Sequence, residues 1–357
     1  MSQMFNVAEI TSLASRILKS CGVPDADAEL VSYSLVQADQ RGIYSHGLLR
    51  LPLYAEALRM GGINPVPSMD WREDSGSVAV LDADAALGQV AMQAAVDYVL
   101  ERGAQSGIAA VAVTNSSHYG AGGFWSDQLS AAGFLSIVTS TTGPVVAPHG
   151  GLEKVLGTNP LTLGAPSSGD WPLTADLATS NGAYGKLIAA RNEGKELPEG
   201  WAVDADGNPT TDPAAAAEGA MIPFGGHKGS AISALIEAFS ASISDATYAF
   251  ETIDIWSHPA SRMNNGHLVI GLNTAAVSDR RRTEARVSTL QERIRGSGPN
   301  GRTVFSPGDP ERIHEEQNAD HVPLPSSTAD QLVTLANQLG FEPIRPVSTH
   351  HLSSERT

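Results

Sequence analysis

GIAAVAV at 107–113 is followed, after one threonine, by NSSHYGAGG at 115–123. The almost uninterrupted apolar run predicts a strand buried on both faces of a sheet. The glycines after it allow the backbone to approach a ligand closely and to offer amide donors. Ligands of open α/β sheets bind beyond the carboxyl ends of strands. This stretch therefore predicts an α/β fold with a ligand-binding loop, although a glycine-rich turn into a helix at Phe124 is a competing interpretation.

Strands and helices alternate on both sides of this stretch, which is typical of α/β layers. The predicted strands are Ser77–Leu81, Gly107–Val113, Gly133–Thr139, Leu161–Ala165, Leu173–Leu177 and His267–Leu272. The predicted helices are Leu87–Arg102, one that starts at Gly229, Arg280–Ile294 and Ala329–Leu339. A long acidic connection is expected from Arg191 to Met221, and the tail after Pro346 is expected to be mobile.

The N-terminal region reads as three helices. The first is capped by Asn6, the second opens at Pro24, and the third follows Ser45, with Pro52 either opening its regular part or kinking it. The glycines and prolines of Gly61–Pro67 then predict a linker.

Composition excludes several classes of function. Lys and Arg total 23 against 39 Asp and Glu, a formal net charge of −16, which disfavours binding to nucleic acid or to an anionic membrane. The single cysteine, Cys21, excludes an internal disulfide and a cysteine-cluster zinc site, so we expect a cytoplasmic protein. We find no signal-peptide pattern, no apolar run long enough to span a bilayer, and no metal-ligand spacing among the histidines.

Standard nucleotide and hydrolase motifs are absent. The chain has no G-x-G-x-x-G, no G-x-x-x-x-G-K-[ST], no H-E-x-x-H and no G-x-S-x-G. If the protein binds a dinucleotide, it therefore does so without a standard Rossmann motif.

Ser45-His46-Gly47-Leu48-Leu49-Arg50 combines an imidazole with a guanidinium. On a helix, His46 and Arg50 would share one face. Arginine pairs a carboxylate through two hydrogen bonds, and histidine exchanges a proton near neutral pH, so the pair suits an acid substrate. Spacing alone, however, favours a serine N-cap followed by a surface histidine.

Three further segments are candidates for ligand contact. Pro223–Gly229 (PFGGHKG) precedes a helix and could bind an anion, Gly157–Pro160 offers a turn with a hydroxyl, and Asp176 ends a strand, where it could meet a ribose or cap a turn. Each signal is weak alone. Together they predict a site for a phosphate-bearing cofactor and a small carboxylate.

A series of motifs then resembles the malate/L-lactate dehydrogenase family of the non-Rossmann type. That family includes ureidoglycolate, sulfolactate and 2,3-diketogulonate oxidoreductases and Δ1-piperideine-2-carboxylate/pyrroline-2-carboxylate reductases. The matching motifs follow the family order over nearly the whole chain. They are SHG at 45–47 with Arg50, NSSHYGAGG at 115–123, APHGG at 147–151, GTNP at 157–160, DLATS at 176–180, DADGNPTTDP at 204–213, PFGGHKG at 223–229, NGHLVIGLN at 265–273 and PGD at 307–309.

The resemblance implies hydride transfer between NAD or NADP and C2 of a small acid, in a homodimer with no membrane or nucleic-acid partner. It implies a non-Rossmann NAD(P)-binding mixed-sheet domain at 73–273. A helical domain would be formed by 1–72 together with about 274–357.

The resemblance also implies site residues. His46 matches the proton donor, Ser45 its hydrogen-bonding neighbour, Arg50 the carboxylate anchor and Thr158 a substrate contact. The positions that match cofactor contacts are His118, Tyr119, Gly120, Ala121, Gly122, Asp176, Leu177, Ala178, His227, Lys228, Pro307, Gly308 and Asp309. Some members use the histidine that matches His118 as the acid/base; we rank His46 first because Arg50 places proton transfer beside the carboxylate.

Asp309 departs from the family pattern, and Lys186 occupies a position at which members of the family differ. Asp309 stands where members commonly have glutamate, which puts that cofactor contact in doubt. Lys186, a further catalytic candidate, stands where imine-reducing members often have aspartate and hydroxy-acid members more often have a basic residue, so it favours 2-oxo acids as the substrates; a surface lysine is the plainer interpretation. A cyclic imine reductase and a catalytically silent cofactor-binding homologue remain the alternatives.

Overall fold

The computed structural model describes residues 2–347. Its α-helices are α1 (Val7–Ser20), α2 (Asp25–Gln40), α3 (Leu51–Met60), α4 (Gly88–Ser106), α5 (Gly122–Ala131), α6 (Tyr184–Glu193), α7 (Pro213–Glu218), α8 (His227–Glu237), α9 (Thr274–Val277), α10 (Arg280–Arg295), α11 (Asp309–Gln317) and α12 (Ser326–Gln338). Its strands are β1 (Ser2–Asn6), β2 (Asp70–Asp74), β3 (Val78–Ala86), β4 (Ile108–Ser116), β5 (Phe134–Ser140), β6 (Leu161–Ala165), β7 (Leu173–Leu177), β8 (Ala202–Val203), β9 (Pro209–Thr210), β10 (Ala220–Met221), β11 (Asn265–Asn273) and β12 (His321–Pro325).

A seven-stranded mixed sheet forms the centre of the α/β part, in the order β2-β3-β4-β11-β5-β6-β7. Only β3 and β4 run parallel among its neighbouring pairs. The strand predicted at Gly107–Val113 is β4, which lies between β3 and β11 and is mostly buried. Helices α4 and α5 pack against one face around Val111, Trp125 and Val269. The expectation of a mixed α/β sheet is confirmed.

The opposite face of this sheet carries exposed apolar side chains. Ile137 pairs with both Leu163 and Ile270, so these side chains point to the same side of the sheet. Ile137 is 39% exposed and Leu163 is 43% exposed. Leu235 of α8 and Phe239, in the single helical turn directly after α8, are more than half exposed. We call Ile137, Leu163 and Ile270 the open sheet face.

A second apolar core joins the two ends of the chain. Ile17 of α1, Leu35 of α2 and Leu51 of α3 pack in one cluster with Val322 of β12 and Leu332 of α12. Strand β1 pairs antiparallel with β12 over the whole of Ser2–Asn6. The division into a helical unit and a unit at 73–273 stays a prediction.

Several strands correct the sequence prediction. The segments 1–72 and 274–357 were expected to be helical, yet they contain β1, β12 and the first three residues of β2. The long connection predicted from Arg191 to Met221, for which no regular element was assigned, contains α7 and a small sheet of β8, β9 and β10. These strands are short, and each depends on a partner strand rather than on a periodic pattern of its own.

The asparagine cap and the long helices agree with expectation. Asn6 Oδ1 accepts the N–H of Glu9 at 3.1 Å, as the predicted cap of α1 requires. Helix α8 begins two residues before the predicted Gly229. Within residues 2–347, no helix combines the length and apolarity needed to cross a membrane. The predicted mobile tail falls almost entirely outside the described residues.

Candidate active site

A cavity of about 1440 Å³ lies between the loop after β4, the turns before α3 and the loop before β11. Ligand pockets usually measure roughly 300–1,000 Å³, so this space can hold more than one small molecule. The sequence-predicted residues in its wall are Ser45, His46, Arg50, His118, Tyr119, Gly120, Ala121, Gly122, Thr158, Asp176, Ala178 and Gly308.

The turns at 44–50 are not the regular helix that was expected. Tyr44–His46 and Leu48–Arg50 are two single 3-10 turns, and Gly47 between them is extended. A Cβ on Gly47 would lie 2.0 Å from an oxygen of Asp39, whose carboxylate accepts the Leu48 N–H at 2.7 Å. The prediction that His46 and Arg50 share a helix face is therefore wrong, although both side chains still reach the cavity.

Arg50 is held by its own turn and by an aromatic ring. Its Nε donates to the Ser45 carbonyl at 2.6 Å, and its Cζ lies 4.3 Å from the centroid of the Trp256 ring. A guanidinium over a tryptophan face gains cation–π energy and keeps its plane. Among the described residues, no hydrogen bond uses the two Nη groups of Arg50. These donors are available to a carboxylate.

His46 and His118 stack in the cavity wall. Their ring centroids lie 5.3 Å apart at an interplanar angle of 25°. The Ser45 hydroxyl hydrogen-bonds His46 Nδ1 at 2.8 Å and orients that ring. Both Nε2 atoms lack a hydrogen-bond partner among residues 2–347.

Both imidazoles are neutral at neutral pH in the ligand-free cavity. Burial, reinforced by the charge of Arg50, lowers the pKa of His46 to about 3. Burial also lowers the pKa of His118 well below its usual value, and Arg50, His46 and His267 act in the same direction. A bound anion beside Arg50 would offset the guanidinium charge and raise both pKa values.

The glycine-rich loop enters α5 against a carboxylate. Gly123 donates its N–H to Asp176 Oδ2 at 2.8 Å, and the Thr162 hydroxyl donates to Asp176 Oδ1 at 2.8 Å. Asp176 therefore caps α5 rather than its own turn, and its contact with a ribose stays a prediction. Its side chain also borders the cavity, where desolvation raises the pKa of the carboxyl.

Two buried polar atoms in the cavity wall have no partner among the described residues. They are the Tyr119 hydroxyl and Asn265 Oδ1. An unpaired buried polar group costs about 1–3 kcal/mol, so each atom points to a polar ligand group that completes it.

The family model for malate/L-lactate dehydrogenases matches residues 5–333. The chain belongs to this family. It is 35% identical to the L-sulfolactate dehydrogenase of Methanocaldococcus jannaschii over 91% of this chain and 94% of that protein. It is 32% identical to the (2R)-3-sulfolactate dehydrogenase (NADP(+)) of Chromohalobacter salexigens, over 93% and 98%. It is 33% identical to the ureidoglycolate dehydrogenase (NAD(+)) of Escherichia coli K12, over 85% and 86%.

Solved structures of malate/L-lactate dehydrogenase relatives share the fold. The M. jannaschii sulfolactate dehydrogenase aligns with a TM-score of 0.88 at 34% identity, covering 95% of this chain and 98% of that one. The Δ1-piperideine-2-carboxylate reductase of Pseudomonas syringae pv. tomato aligns with a TM-score of 0.84 at 29% identity, covering 94% and 100%.

Some residues that the family resemblance singles out lie outside the cavity wall. Lys186 on α6 is exposed, as is Leu177 at the end of β7. Asp309 is buried and its carboxylate pairs with Arg295 at 2.7 and 2.8 Å. The others outside the wall are His227, Lys228 and Pro307, all exposed. Their roles stay predictions.

Three residues near the imidazole pair were missed by the sequence analysis of this malate/L-lactate dehydrogenase family member. Trp256 supports Arg50, and its ring meets the edge of His118 at a centroid distance of 5.6 Å. Tyr54 and Gln89 form hydrogen bonds behind His118. Tyr54 lies four residues after Arg50, which is a weak helical signal; Trp256 and Gln89 come from distant segments with no signal.

Proposed function

We propose that this protein is an NAD(P)-dependent oxidoreductase that transfers a hydride between the nicotinamide and C2 of a small 2-oxo or 2-hydroxy carboxylic acid. The observation that carries the proposal is the stacked pair of His46 and His118 beside the free Nη donors of Arg50 in one cavity. Membership of the malate/L-lactate dehydrogenase family and the named activities of its relatives support it.

Arg50 holds the substrate carboxylate in this mechanism. Two parallel N–H···O bonds from its Nη groups fix both the position and the plane of the carboxylate. Trp256 and the Ser45 carbonyl already hold the guanidinium, so little rotamer freedom is lost on binding.

His46 moves the proton. With its pKa at about 3, the free site holds a neutral imidazole, which acts as the base when a hydroxy acid is oxidised. Pairing of the substrate carboxylate with Arg50 removes one cause of that low pKa, so acid binding favours proton uptake by His46. The imidazolium then protonates the oxygen at C2 when an oxo acid is reduced, and Ser45 keeps the ring oriented.

The cavity wall suits a nicotinamide dinucleotide. Asn265 Oδ1 and the Tyr119 hydroxyl are the unpaired buried groups that such a ligand can satisfy, and Tyr119–Gly122 offers a glycine-rich backbone beside them. When bound, the nicotinamide supplies or accepts the hydride at C2 of the acid. One named relative carries NAD(+) and another NADP(+) in its name, so both forms belong in the test.

We further propose that the cofactor binds in a non-Rossmann manner. The chain lacks G-x-G-x-x-G, and the sheet has one parallel pair among its neighbouring strands. The N-terminus of α5, where a Rossmann fold would receive a phosphate, is capped by the Asp176 carboxylate.

A cytoplasmic homodimer is the assembly that we propose. Exposed apolar side chains that share one face of a sheet are characteristic of interfaces, and the open sheet face is self-complementary in chemistry. Sedimentation of the wild type and of Leu163→Glu tests the assembly: the wild type should sediment as a dimer, and the charged variant should shift toward the monomer.

Reduction of cyclic imino acids is the second candidate. The structural similarity to the Δ1-piperideine-2-carboxylate reductase favours it, because the same arginine and histidine would serve a C=N bond next to a carboxylate. Lys186 is exposed and lies outside the cavity wall, so its position favours neither the oxo acids nor the cyclic imines as substrates.

The deciding experiment follows the absorbance of reduced nicotinamide with purified protein. NADH and NADPH are each tested with pyruvate, oxaloacetate, other 2-oxo acids, and Δ1-pyrroline- and Δ1-piperideine-2-carboxylate. Oxo-acid turnover that is lost in His46→Ala, purified in the same way, supports the proposal and excludes a contaminating dehydrogenase. Turnover of the imines alone selects the second candidate, and tight NAD(P)H binding without any turnover identifies a silent homologue.

A further inference from the structure

Two fully buried residues lie behind His118 without bordering the cavity. Tyr54 and Gln89 are each 0% exposed. The Tyr54 hydroxyl lies 2.6 Å from His118 Nδ1, and Gln89 Nε2 lies 3.2 Å from the Tyr54 hydroxyl. The side chains thus form a hydrogen-bonded chain from Gln89 through Tyr54 to Nδ1 of His118, whose ring borders the cavity.

The direction of this chain follows from a backbone group. The Gly120 N–H points at His118 Nδ1 at 3.4 Å. A backbone N–H can only donate, so Nδ1 is an acceptor. A neutral imidazole has one protonated nitrogen and one acceptor nitrogen, which places the proton of His118 on Nε2.

The remaining donors agree with that assignment. With Nδ1 as an acceptor, the Tyr54 hydroxyl must donate to it, and the oxygen of Tyr54 is then free to accept from the Gln89 amide. The reverse arrangement would place a proton on Nδ1 directly opposite the Gly120 N–H, where two donors would face each other. Burial also disfavours the imidazolium, which would carry protons on both nitrogens.

We propose that Tyr54 is a positioning residue which, with Gln89, fixes His118 in its Nε2–H tautomer. His118 thereby presents a neutral hydrogen-bond donor to the oxygen at C2 of the substrate, while His46 exchanges the proton. The inference rests on the proposed function for the identity of the substrate oxygen. The tautomer itself is a property of the ligand-free protein.

The separate roles of His118 as a hydrogen-bond donor and of His46 as the residue that exchanges the proton explain why two histidines share one cavity. A donor aimed at an oxygen that gains negative charge stabilises the transition state, and removal of such a donor typically costs about 10²–10³ in kcat. The donor role needs no protonation change at His118, so it persists where Arg50 disfavours a second cation. Proton transfer then falls to His46, whose Nδ1 is bonded only to the Ser45 hydroxyl.

The first test is an NMR measurement on ligand-free protein labelled with ¹⁵N-histidine at pH 7. His118→Asn, whose spectrum lacks this residue, assigns the His118 signals. We expect an unprotonated Nδ1 and a protonated Nε2 in the wild type, and a mixture of tautomers in Tyr54→Phe. A protonated Nδ1 in the wild type, as the other tautomer or as imidazolium, would overturn the inference whether or not any acid is turned over.

The second test reverses the direction of the hydrogen bonds that run from Gln89 through Tyr54 to His118. Gln89→Glu replaces the amide donor with an acceptor, so Tyr54 should donate to residue 89 and leave Nδ1 to carry a proton. Gln89→Met is the matched control, since it is similar in size and leaves the Gly120 and Tyr54 donors in place. A protonated Nδ1 in Gln89→Glu but not in Gln89→Met supports the inference; a protonated Nδ1 in Gln89→Met would contradict it, because the Gly120 and Tyr54 donors remain in that variant.

Kinetics supply the third test, which does not depend on how Gln89→Glu folds. Loss of the Tyr54 hydroxyl should lower kcat about tenfold with the KM for the acid changed less than about threefold, because the ring of His118 stays but its tautomer is no longer fixed. Tyr33→Phe removes a hydroxyl from a half-exposed tyrosine outside the cavity wall and should leave both constants unchanged. A wild-type kcat in Tyr54→Phe, or an equal loss in Tyr33→Phe, would refute the positioning role.

Discussion

Two loops of this chain are alike in composition and different in place. The cavity loop, Asn115–Gly123, and the surface loop, Pro223–Gly229, both combine glycines with a histidine and both lead into a helix. His118 of the cavity loop borders the cavity and stacks on His46, whereas His227 and Lys228 of the surface loop are exposed outside it. The location of a ligand loop is therefore set by what packs around it more than by the residues it contains.

The anchors of the two loops show the physical difference. His267, fully buried on β11, hydrogen-bonds Ser116 at the base of the cavity loop at 2.9 Å and Ser140 at 2.8 Å, and its ring lies 5.0 Å from Tyr119. The indole of Trp125 donates to the Tyr119 carbonyl at 3.0 Å. Buried side-chain bonds of this kind hold the cavity loop in one geometry.

The surface loop is held mainly by main-chain bonds. The Phe224 N–H donates to the Thr179 carbonyl at 3.0 Å, and the Ser230 N–H donates to the Gly226 carbonyl at 3.1 Å. Gly225 and Gly226 both have positive φ, which favours glycine at these positions. This loop can therefore tolerate changes in its exposed side chains that the cavity loop cannot.

The largest effect is expected at the imidazole that faces the cavity loop. His46→Ala should lower kcat by roughly 10²–10⁴, the usual contribution of an acid/base group, with a smaller change in substrate KM. Steady-state kinetics with the best substrate of the panel measure it. Near-normal turnover would move the proton-transfer role to His118.

His267, which anchors the cavity loop, should make the stability of the protein depend on pH. Burial lowers the pKa of His267 to about 3, below its value in the unfolded chain, so stability is retained above pH 6.5 and lost as the pH falls below it. At pH 5 the unfolded chain gains a proton that the native protein does not, which costs about 2 kcal/mol. Urea unfolding at pH 7.5 and pH 5.0 should show this loss in the wild type and a smaller loss in His267→Gln. Equal losses in the two proteins would show that His267 is not the residue responsible.

A third change tests the carboxylate anchor. Arg50→Lys keeps the positive charge but loses the paired Nη donors and the planar contact with Trp256. We expect the KM for the acid to rise about tenfold while the KM for the dinucleotide stays within about twofold, since a charge-assisted hydrogen bond contributes about 1.5–3 kcal/mol. Parallel titration of both substrates measures the split. A rise in the dinucleotide KM instead would place Arg50 on the cofactor.

The smallest effect is expected in the surface loop. Lys228→Ala should raise the KM for the dinucleotide by no more than about fivefold and leave kcat unchanged, because an exposed ionic contact contributes about 0.2–1 kcal/mol. A kcat loss similar to that of a cavity-loop variant would erase the distinction between the loops. Wild-type kinetics in every respect would remove the surface loop from the cofactor site.

Local patterns predicted the parts of the molecule that local forces determine. The apolar run that became β4, the cap at Asn6 and the periodic helices required no information from distant segments. Asp176 was recognised as a cap or a ribose contact, but the helix that it caps comes from residues 122–131, more than 40 positions away. The sequence alone does not show which residues far apart in the chain come into contact in the fold.

The misses share the same origin. Gly47 interrupts the expected helix because Asp39 of α2 lies against it. Trp256 reaches Arg50, and Gln89 reaches Tyr54, only after the two cores have assembled. A residue whose role depends on a partner from another element carries no periodic signal.

The positions of β11 and β12 in the chain bear on its synthesis. Strand β11 separates β4 from β5 in the sheet, and β12 is the partner of β1, yet both are made in the last third of the chain. A nascent chain shorter than about 265 residues therefore has an interrupted sheet and an unpaired first strand. Unpaired strand edges invite association with other chains. Nascent chains arrested before Asn265 should consequently be protease-sensitive and prone to aggregation, and release of the completed chain should end both vulnerabilities together.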